Sequence, residues 1–468
     1  MMMTLAEAAR ALGAQLEGPD GPFDGVSTDS RTIARGHLFV ALHGERFDGH
    51  RFLGEAAAAG AAGAIVARER LLAAADRSTW AALPLIIVSD TRVALGKLAA
   101  HWRGRHDLRL VGLTGSSGKT TVKEMLACVL RAACAVNDGG ATGSSEQVLA
   151  TRGNLNNDIG VPLMLLELRP EHRYAVIEMG MNHSGEIRYL AQIASPDVAL
   201  VTNAGRAHIE YLGSEEAIAR AKGEIYEDLK EGATSVINAD DAYASMWRQL
   251  AGERRRVEFG LNGRDVSASY RLHPLASDIT LRTPRGEAQM RMSAPGLHNV
   301  RNALAAAAVA VALDIPPSAI AAGLENFAGV KGRLQQKAAR GAVVIDDTYN
   351  ANPDSVRAAI DVLAAVPGKR VLVLGDMGEL GGRGPQLHAE IGAHARAAGI
   401  ERLFLLGGLS ENTARAYGED AQHYDSVEDL SARLISELAP GVTVLVKGSR
   451  FMRMERVVDA LTAERAQP

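Results

Sequence analysis

The stretch Gly112–Thr121 reads GLTGSSGKTT, and it decides how the surrounding chain folds. It follows the apolar run Leu108–Leu113 and precedes a helical pattern over Val122–Ala133. A strand, a glycine-rich loop, Lys-Thr and a helix in this order are typical of a phosphate-binding P-loop. The loop is shorter by a residue or more than the widespread form of this motif.

The residue types of this loop suit a polyphosphate ligand. Gly115 and Gly118 permit a tight turn that points backbone N–H groups inward, and the helix N-terminus adds partial positive charge. Lys119 can reach the β- and γ-phosphates, and the Thr120 hydroxyl is placed to hold Mg²⁺. An ordinary glycine turn is the alternative, but the order of the elements favours binding of a nucleoside triphosphate. The other loop residues expected to contact phosphate are Ser116, Ser117 and Thr121.

Length and composition limit what the rest of the chain can be. The 468 residues are too many for one core, so several domains are expected. A net charge of −4 gives no case for a nucleic-acid partner, and no apolar run is long enough to span a membrane. Cys128 and Cys134 fall on the predicted helix after the P-loop and indicate small buried side chains rather than a disulfide. We expect a cytoplasmic, monomeric protein.

Alternating strand and helix patterns predict an α/β fold of three domains, at residues 1–105, 106–330 and 331–468. The middle domain should hold a mostly parallel sheet, followed near residues 256–293 by a small antiparallel addition. The last domain should be Rossmann-like and doubly wound, although it lacks the glycine motif of a dinucleotide site. Predicted strands of the middle and last domains are Arg109–Leu113, Tyr174–Glu178, Val198–Thr202, Ser235–Asn238, Val343–Asp347, Val371–Leu374, Leu403–Leu406 and Val442–Val446.

Two strands of the predicted middle sheet end in groups that can bind a metal ion. Glu178 ends one strand, and Asn203 and His208 follow the next. The carboxyl ends of parallel strands meet at one edge of a sheet, so these side chains should face the P-loop. A carboxylate there suits Mg²⁺, although a strand-end glutamate can be merely solvated and a lone histidine is often structural. We treat Glu178 and His208 as candidate metal ligands.

Other polar segments allow both a binding and a structural interpretation. The amides of Asn154, Asn156 and Asn157 could contact a polar ligand or cap the following helix. The cluster Ser27–Arg31 is dense in hydrogen-bonding groups, but a surface turn with a helix cap explains it equally well.

Further candidates lie on helices and at the ends of later strands. Asn299 and Asn302 share one helical face, which suits either a nucleotide base or a cap. Lys222, judged by spacing alone, is a solvated surface lysine. The segments Asp346–Pro353 and Lys447–Arg450 each end a strand, where a doubly wound sheet places its ligand.

Together these segments resemble the Mur ligase family, the ATP-dependent amide-forming ligases of peptidoglycan precursor synthesis. The resemblance covers nearly the whole chain and rests on the combination of STDSR, LFVALHGERFDGH, TGSSGKTT, GNLNNDIGVP, EMGMN, TNAGRAHIE, AKGEIY, GLHNVRNALAA, KGR, DDTYNANPDS, VLGDMGELG and KGSR. Within the family, GNLNNDIGVP, AKGEI and DDTYNANPDS look most like the members that join D-alanyl-D-alanine to UDP-N-acetylmuramoyl-tripeptide. The segment Asn137–Gln147 looks longer and more polar than the family norm, and we expect a surface loop there.

The resemblance implies a reaction and its cofactors, ATP and Mg²⁺. A substrate carboxylate attacks the γ-phosphate of ATP, and the amine of the dipeptide then attacks the resulting acyl phosphate. The residues implied in catalysis are Lys119, Glu178, His208 and a carbamylated Lys222. The implied metal ligands are Thr120, Glu178, His208 and Lys222 as its carbamate, because an oxygen anion suits Mg²⁺ and an ammonium does not.

The resemblance also distributes the substrates over the three domains. The first domain would hold the UDP-sugar, the middle one ATP and the last one the dipeptide. ATP would contact Gly115, Ser116, Ser117, Gly118, Lys119, Thr120, Thr121, Asn299, Asn302, Arg333 and Asp347. The UDP-sugar and its peptide would contact Ser27, Asp29, Ser30, Arg31, Gly44, Asp48, His50, Asn154, Asn156 and Asn157. The dipeptide side would comprise Tyr349, Asn350, Asn352, Lys447, Ser449 and Arg450.

Two other functions stay open at this point. One is another ligase of the same family that adds a single amino acid. The other is a P-loop switch protein that hydrolyses nucleotide to regulate a partner, for which phosphate release would not depend on an amine. Both diaminopimelate and lysine stay open as the third residue of the acceptor peptide.

Overall fold

The computed structural model describes residues 1–44, 47–73, 80–137, 146–205 and 209–463. The predicted α/β architecture of three domains is confirmed, with one main sheet in each. His208, one of the candidate metal ligands, lies outside the described residues, as does most of the segment Asn137–Gln147. No helix within the described part of the chain is long and apolar enough to cross a membrane.

The first region is built on a five-stranded sheet. The strands of the region, inside and outside this sheet, are β1 (Met3–Thr4), β2 (Gln15–Glu17), β3 (Pro22–Phe23), β4 (Gly25–Ser27), β5 (His37–Val40), β6 (His43–Gly44), β7 (Phe47–Asp48), β8 (Gly63–Ala67) and β9 (Leu85–Val88). Its helices are α1 (Leu5–Leu12), α2 (Leu53–Ala58), α3 (Arg68–Ala73) and α4 (Thr91–Arg103). The sheet order is β2-β9-β8-β5-β4, in which β2 alone runs antiparallel to its neighbour.

Helix α4 connects the first region to the second, and its sequence explains why it begins and packs as it does. The Asp90 side chain caps it by accepting hydrogen bonds from the backbone N–H groups of Arg92 and Val93. Leu95 and Leu98 lie on its buried face, at the spacing of adjacent helical turns.

The central region holds six parallel strands and a separate antiparallel sheet. Its strands are β10 (Arg109–Thr114), β11 (Val148–Ala150), β12 (Tyr174–Glu178), β13 (Val198–Val201), β14 (Thr234–Asn238), β15 (Arg255–Phe259), β16 (Ser267–His273), β17 (Ala276–Thr283) and β18 (Gly286–Met292). Its helices are α5 (Lys119–Asn137), α6 (Gly160–Leu166), α7 (Glu186–Ala194), α8 (Ile209–Leu212), α9 (Glu215–Gly223), α10 (Ala244–Ala251), α11 (Leu297–Ala312) and α12 (Pro317–Glu325). The parallel order is β11-β12-β10-β13-β14-β15, and β16-β17-β18 form the antiparallel sheet.

The antiparallel prediction for residues 256–293 is wrong at its start. Strand β15 pairs in parallel with β14 and is the edge of the main sheet. Arg255 and Arg256 are exposed, whereas Val257 and Phe259 are buried. This edge strand therefore shows the alternation that is typical of a half-exposed antiparallel strand. Sequence alone does not distinguish a parallel edge strand from an antiparallel one.

The last region is a second doubly wound unit. Its strands are β19 (Gln335–Ala339), β20 (Ala342–Asp347), β21 (Lys369–Gly375), β22 (Arg402–Leu406), β23 (Ala421–Tyr424) and β24 (Val442–Lys447). Its helices are α13 (Pro353–Ala364), α14 (Gly384–Ala397), α15 (Ser410–Tyr417), α16 (Val427–Ile435) and α17 (Glu455–Thr462). The order is β19-β20-β24-β21-β22-β23, with β19 alone antiparallel. The polar edge strands β19 and β23 were not predicted from the sequence.

The packing between regions differs along the chain. One continuous apolar core joins the first region to the central sheet, with Leu98 of α4 and Val161 and Leu190 of α6 and α7 as members. The last region has two cores of its own, on the two faces of its sheet. The first two regions therefore share one apolar core, and the last region is not part of that core.

Candidate active site

The P-loop lies between β10 and α5, and its two glycines are required by close contacts. Gly115 has φ of +153° and Gly118 has φ of +80°, both in the range that favours glycine. A Cβ atom at Gly115 would collide with the Thr202 hydroxyl, and one at Gly118 would collide with the Asn302 side-chain oxygen. The loop thus fits against the end of β13 on one side and the start of α11 on the other.

Asn203 holds the P-loop in place from the neighbouring strand. Its Oδ1 accepts from the Ser117 N–H at 2.9 Å, and its Nδ2 donates to the Ser117 carbonyl at 3.0 Å. The Thr202 hydroxyl donates to the same carbonyl at 2.7 Å. This two-way clamp fixes the backbone amides that would face a phosphate.

Lys119 is folded back onto its own loop. Its Nζ donates to the Gly115 carbonyl at 2.7 Å. Burial lowers the pKa of Lys119, and the nearby Glu178 carboxylate opposes this effect while Arg333 adds to it. An incoming polyphosphate would supply an anion to pair with this part-buried ammonium.

Glu178 and Thr120 form an oxygen-rich pair beside the loop. The Thr120 hydroxyl donates to Glu178 Oε2 at 2.9 Å, and Asn156 Nδ2 donates to Glu178 Oε1 at 2.9 Å. The Thr151 hydroxyl accepts from the Glu178 backbone N–H at 2.9 Å. Glu178 is only 2% exposed, so the sheet and its neighbours hold this carboxylate in one place.

Arg333 brings the last region onto this pair. Its Nη2 donates to the Thr120 hydroxyl at 3.0 Å, and its guanidinium lies over the Tyr349 ring at 4.4 Å from the ring centroid. Asn352 makes a second contact across the same gap, with Nδ2 donating to the Ser117 hydroxyl at 3.3 Å. Two side chains of the last region therefore touch the P-loop residues directly.

A buried ion pair supports the wall of the last region. Lys447 Nζ donates to Asp347 Oδ2 at 2.6 Å and to the Asn350 carbonyl at 2.9 Å. Burial raises the pKa of Asp347, and the Lys447 ammonium opposes the rise. The other oxygen of Asp347 accepts from the Leu334 N–H, next to Arg333.

The residues predicted after Lys447 do not reach the site. The Ser449 hydroxyl is engaged with the Ala351 carbonyl and the Gly378 N–H. Arg450 is exposed and pairs with Glu455 at 3.0 Å. Neither residue lines the site cavity in the described structure.

Lys222 is buried, although its spacing indicated a surface lysine. Its side chain lies at the end of α9 and is 1% exposed. Burial lowers the pKa of Lys222 well below its usual range, and the nearby Lys119 ammonium lowers it further. Both effects favour the neutral form of the Lys222 amine over its ammonium form.

Asn299 and Asn302 lie together at the start of α11, as predicted. Asn302 Nδ2 donates to Asn299 Oδ1 at 3.1 Å, and Asn299 Nδ2 donates to the Pro295 carbonyl at 2.8 Å. Both are largely buried and both line the cavity. These side chains therefore bond to each other and to the preceding turn. Neither caps the helix by accepting from a backbone N–H of its first turn.

The residues of the first region that were predicted to hold the UDP-sugar fall into two groups, and neither group lines the cavity. In the first, Arg31 hydrogen-bonds to Asp29 and lowers its pKa to about 2, and the Ser30 hydroxyl donates to Glu55. The Ser27 hydroxyl turns back onto the Asp29 carbonyl. These contacts are those of the surface turn that the sequence offered as an alternative.

The second group surrounds His50. Asp48 Oδ1 lies 2.7 Å from His50 Nδ1, and His50 Nε2 accepts from the Ala67 N–H at 2.9 Å. Burial lowers the pKa of His50, and Asp48 opposes this. Both ring nitrogens are therefore occupied, while Gly44 lies exposed in the β6–β7 hairpin.

A cavity of about 1170 Å³ joins these parts. Its lining includes these predicted residues: Ser116, Ser117, Gly118, Lys119, Thr121, Asn154, Asn156, Asn157, Glu178, Asn299, Asn302, Arg333, Asp347, Tyr349, Asn350, Asn352 and Lys447. It also includes residues that were not proposed from the sequence: Arg92, Asp158, Asn182, Tyr189, Asp241 and Arg301. Asp158 stands inside GNLNNDIGVP and could have been included with its asparagines.

The comparisons with known proteins agree with this geometry. Three family models match: "Mur ligase family, catalytic domain" over residues 22–103, "Mur ligase middle domain" over 113–310, and "Mur ligase, glutamate ligase domain" over 332–450. The chain is 42% identical over 465 residues to the UDP-N-acetylmuramoyl-tripeptide–D-alanyl-D-alanine ligase of Escherichia coli, covering 98% of each chain. It is 36% identical to that of Bacillus subtilis, covering 93% of each.

Solved structures give the same result. MurF from Acinetobacter baumannii superposes with a TM-score of 0.89 at 36% identity, over 99% of both chains. The MurF ligase of Thermotoga maritima in complex with ADP superposes with a TM-score of 0.81 at 29% identity, over 94% of this chain and 97% of that one. The resemblance inferred from the sequence motifs is confirmed.

Proposed function

This chain belongs to the Mur ligase family, and we propose that it joins D-alanyl-D-alanine to UDP-N-acetylmuramoyl-tripeptide in an ATP-dependent, ADP-forming reaction. The observation that carries the proposal is the Thr120 hydroxyl, which contacts both Glu178 of the central sheet and Arg333 of the last region. It supports a site in which the nucleotide is held between two regions of the chain.

The nucleotide is best accommodated along the P-loop. The related ligase in complex with ADP and the ATP dependence of the family support ATP as the nucleotide. The clamped amides near Ser117 and the Lys119 ammonium suit the β- and γ-phosphates. In this proposal Asn299 and Asn302 would contact the base, and Arg333 and Asp347 would contact the phosphates and ribose.

The residues present also fit Mg²⁺. Thr120 and Glu178 offer a hydroxyl and a carboxylate oxygen 2.9 Å apart, the hard oxygen donors that Mg²⁺ prefers. Thr120, Glu178, His208 and the carbamate of Lys222 would hold such ions, which would neutralise phosphate charge during transfer.

Lys222 is suited to carbamylation. A carbamate forms when a neutral amine attacks carbon dioxide, and both burial and Lys119 favour the neutral amine here. The amine loses a proton as the carbamate forms, and the resulting anion would attract the Lys119 ammonium, which an ammonium at Lys222 would repel. This supports a carbamate at Lys222.

The reaction then needs little covalent chemistry from the protein. The carboxylate of the tripeptide attacks the γ-phosphorus, the bond to the β-phosphate oxygen breaks, and ADP leaves. The dipeptide amine attacks the acyl carbon, loses a proton, and expels phosphate as the amide forms. Lys119 and Arg333 would stabilise the charge that develops on the transferring phosphoryl group, and closure of the last region would exclude water from the acyl phosphate.

The three regions divide the substrates in this proposal, with boundaries at residues 105/106 and 330/331. The first region, including Ser27–Arg31 and Gly44–His50, receives the UDP-sugar. The wall formed by Tyr349, Asn350, Asn352 and Lys447 faces the incoming dipeptide. Ser449 and Arg450 would support that wall from behind. Because both ATP and UDP-sugars are made in the cytoplasm, the protein acts there.

A phosphate-release assay tests this function. Purified protein is incubated with ATP and Mg²⁺, with UDP-muramoyl-tripeptide and D-alanyl-D-alanine added singly or together. Strict dependence on both substrates, with formation of the pentapeptide product, is the expected result. Release that ignores both substrates would instead favour a nucleotide switch, and activity with D-alanine alone would favour a ligase of single amino acids.

A further inference from the structure

A charged pair on one wall of the cavity has no role in the function proposed above. Arg92 at the start of α4 and Asp158 in the loop before α6 both line the cavity, and Arg92 Nη1 lies 3.2 Å from Asp158 Oδ2. The two side chains are 49% and 34% exposed, so each retains a face toward the cavity. Tyr189 of α7 lines the same wall, and its electrostatic environment includes both residues.

The neighbouring carboxylates are already occupied. Asp90 accepts the N–H groups of Arg92 and Val93 at the start of α4. Glu186 accepts the N–H groups of Asn182 and His183 at the start of α7. Among the described residues of this wall, Asp158 differs from these two carboxylates because it pairs with a side chain, that of Arg92, and caps no helix.

The pair is held in position by the shared core rather than by domain closure. Helix α4 packs on α7 at Gly96, where a Cβ atom would collide with the Tyr189 hydroxyl and approach Ile193. Leu95 and Leu190 belong to the same apolar core. The helix that carries Arg92 is therefore fixed against the central region before a ligand enters the cavity.

The distance from the pair to the phosphate site also suits the third residue of the acceptor peptide. Asp158 is two residues from Asn156, whose side chain bonds to Glu178, so their Cα atoms are within about 7 Å. The reacting carboxylate belongs to that third residue, and its side chain of four carbons extends about 5 Å from the reacting end. The end of this side chain can thus reach the wall while the carboxylate lies at the phosphates.

A cation beside an anion complements a group that carries both charges. A side chain ending in an ammonium and a carboxylate can pair its carboxylate with Arg92 and its ammonium with Asp158. A side chain ending in an ammonium alone would leave Arg92 unmatched and would lie beside a like charge.

We propose that Arg92 and Asp158 select an acceptor whose third residue is of the diaminopimelate type, with an ammonium and a carboxylate at its end, over one of the lysine type. This inference rests on the proposed function. Arg92 supplies most of the discrimination between the two acceptors. Asp158 contributes to binding of both acceptors, because both carry an ammonium.

The test measures kcat/KM for the diaminopimelate and lysine tripeptides in the same protein preparation. Wild type should prefer the diaminopimelate acceptor by about tenfold or more, a difference of about 1.4 kcal/mol, because only this acceptor offers Arg92 a carboxylate. Arg92→Gln should lose that preference through a higher KM for the diaminopimelate acceptor alone. Arg92→Glu should favour the lysine acceptor, and Asp158→Asn should weaken both. Arg105→Gln, an exposed arginine paired with Glu7, is the control and should change neither.

The outcomes separate this inference from the function on which it rests. Equal losses for both acceptors in Arg92→Gln, or a wild-type preference for lysine, would overturn the selection proposed here while leaving the ligase intact. Inactivity of the wild type toward both tripeptides would overturn the ligase function and the inference together. Matching melting temperatures of the variants and wild type would establish that folding is not the cause.

Discussion

The central region meets its two neighbours through surfaces of opposite character. Toward the first region the contact is apolar, with Leu98 and Trp102 of α4 in one core with Met164 and Leu190. Arg103 adds a buried anchor, since its Nε donates to the Ala194 carbonyl at 3.3 Å. Toward the last region the site contacts are hydrogen bonds between polar side chains, and apolar contact is limited to places such as Leu275, which packs against the core of the last region.

This difference indicates which part of the molecule moves. An apolar core resists separation because parting it exposes hydrocarbon to water, whereas polar contacts exchange readily for water. The first and central regions should therefore act as one body that binds the acceptor and the nucleotide. The last region should close onto them when both ligands are present, and open to release product.

Lys222→Ala tests the chemistry while leaving both contact surfaces undisturbed. Loss of the proposed carbamate should lower kcat by about 10³-fold, comparable to removing a preorganised charge-stabilising group. Short carboxylic acids should restore part of the activity by entering the space that the side chain leaves. Turnover assays with and without the acids provide the measurement, and full activity of the untreated variant would refute the carbamate.

Leu98→Ala tests the apolar surface. Removing a buried leucine from the shared core should lower the free energy of unfolding by about 3 kcal/mol. Urea denaturation measures this, with Lys97→Ala on the exposed face of the same helix as the control. Turnover per folded molecule should stay near the wild-type value, and an unchanged free energy of unfolding would mean that α4 is not fixed by this core.

Arg333→Ala tests the polar surface. It removes the contact with the Thr120 hydroxyl and the charge facing the transferring phosphoryl group, so kcat should fall about 100-fold. The free energy of unfolding should change little. Steady-state kinetics and urea denaturation are compared with Arg415→Ala, an exposed arginine of the same region. A loss of stability without a loss of kcat would mean that this surface stabilises the fold and does not serve catalysis.

Asn352→Ser is the mildest test of the same surface. Serine keeps the cap of α13 that Asn352 provides, but it is too short to donate to the Ser117 hydroxyl. One neutral hydrogen bond is worth about 1 kcal/mol, so kcat should fall about fivefold. The measurement is again steady-state turnover, and the melting temperature should match the wild type because the cap is kept.

Features with a local cause could be predicted from the sequence. The P-loop and the strand ending in Glu178 depend on neighbouring residues, and both lie where they were expected. Lys222 and His50 could not be judged this way, because their burial depends on elements distant in sequence. Lys222 is enclosed by the packing of α9, and the second nitrogen of His50 is occupied by the N–H of Ala67.

Pairs from different regions were also beyond sequence reasoning. Arg92 and Asp158 belong to different regions, and nothing in either segment indicates that the two would meet. Arg333 is the exception, because its place in a short motif shared with the Mur ligases indicated its position beside the nucleotide. The hydrogen bond to Thr120 and the stacking on Tyr349 give that position a physical basis.

Two distances measured between spin labels test the central claim most directly. Cysteines introduced at the exposed positions Glu17, Gln289 and Glu419 report on the three regions, in a background where Cys128 is replaced by serine. On adding an ATP analogue with the UDP-tripeptide, the Gln289–Glu419 distance should shorten while the Glu17–Gln289 distance stays constant. A change confined to the Glu17–Gln289 distance, or no change in either, would contradict a fixed first region and a closing last one.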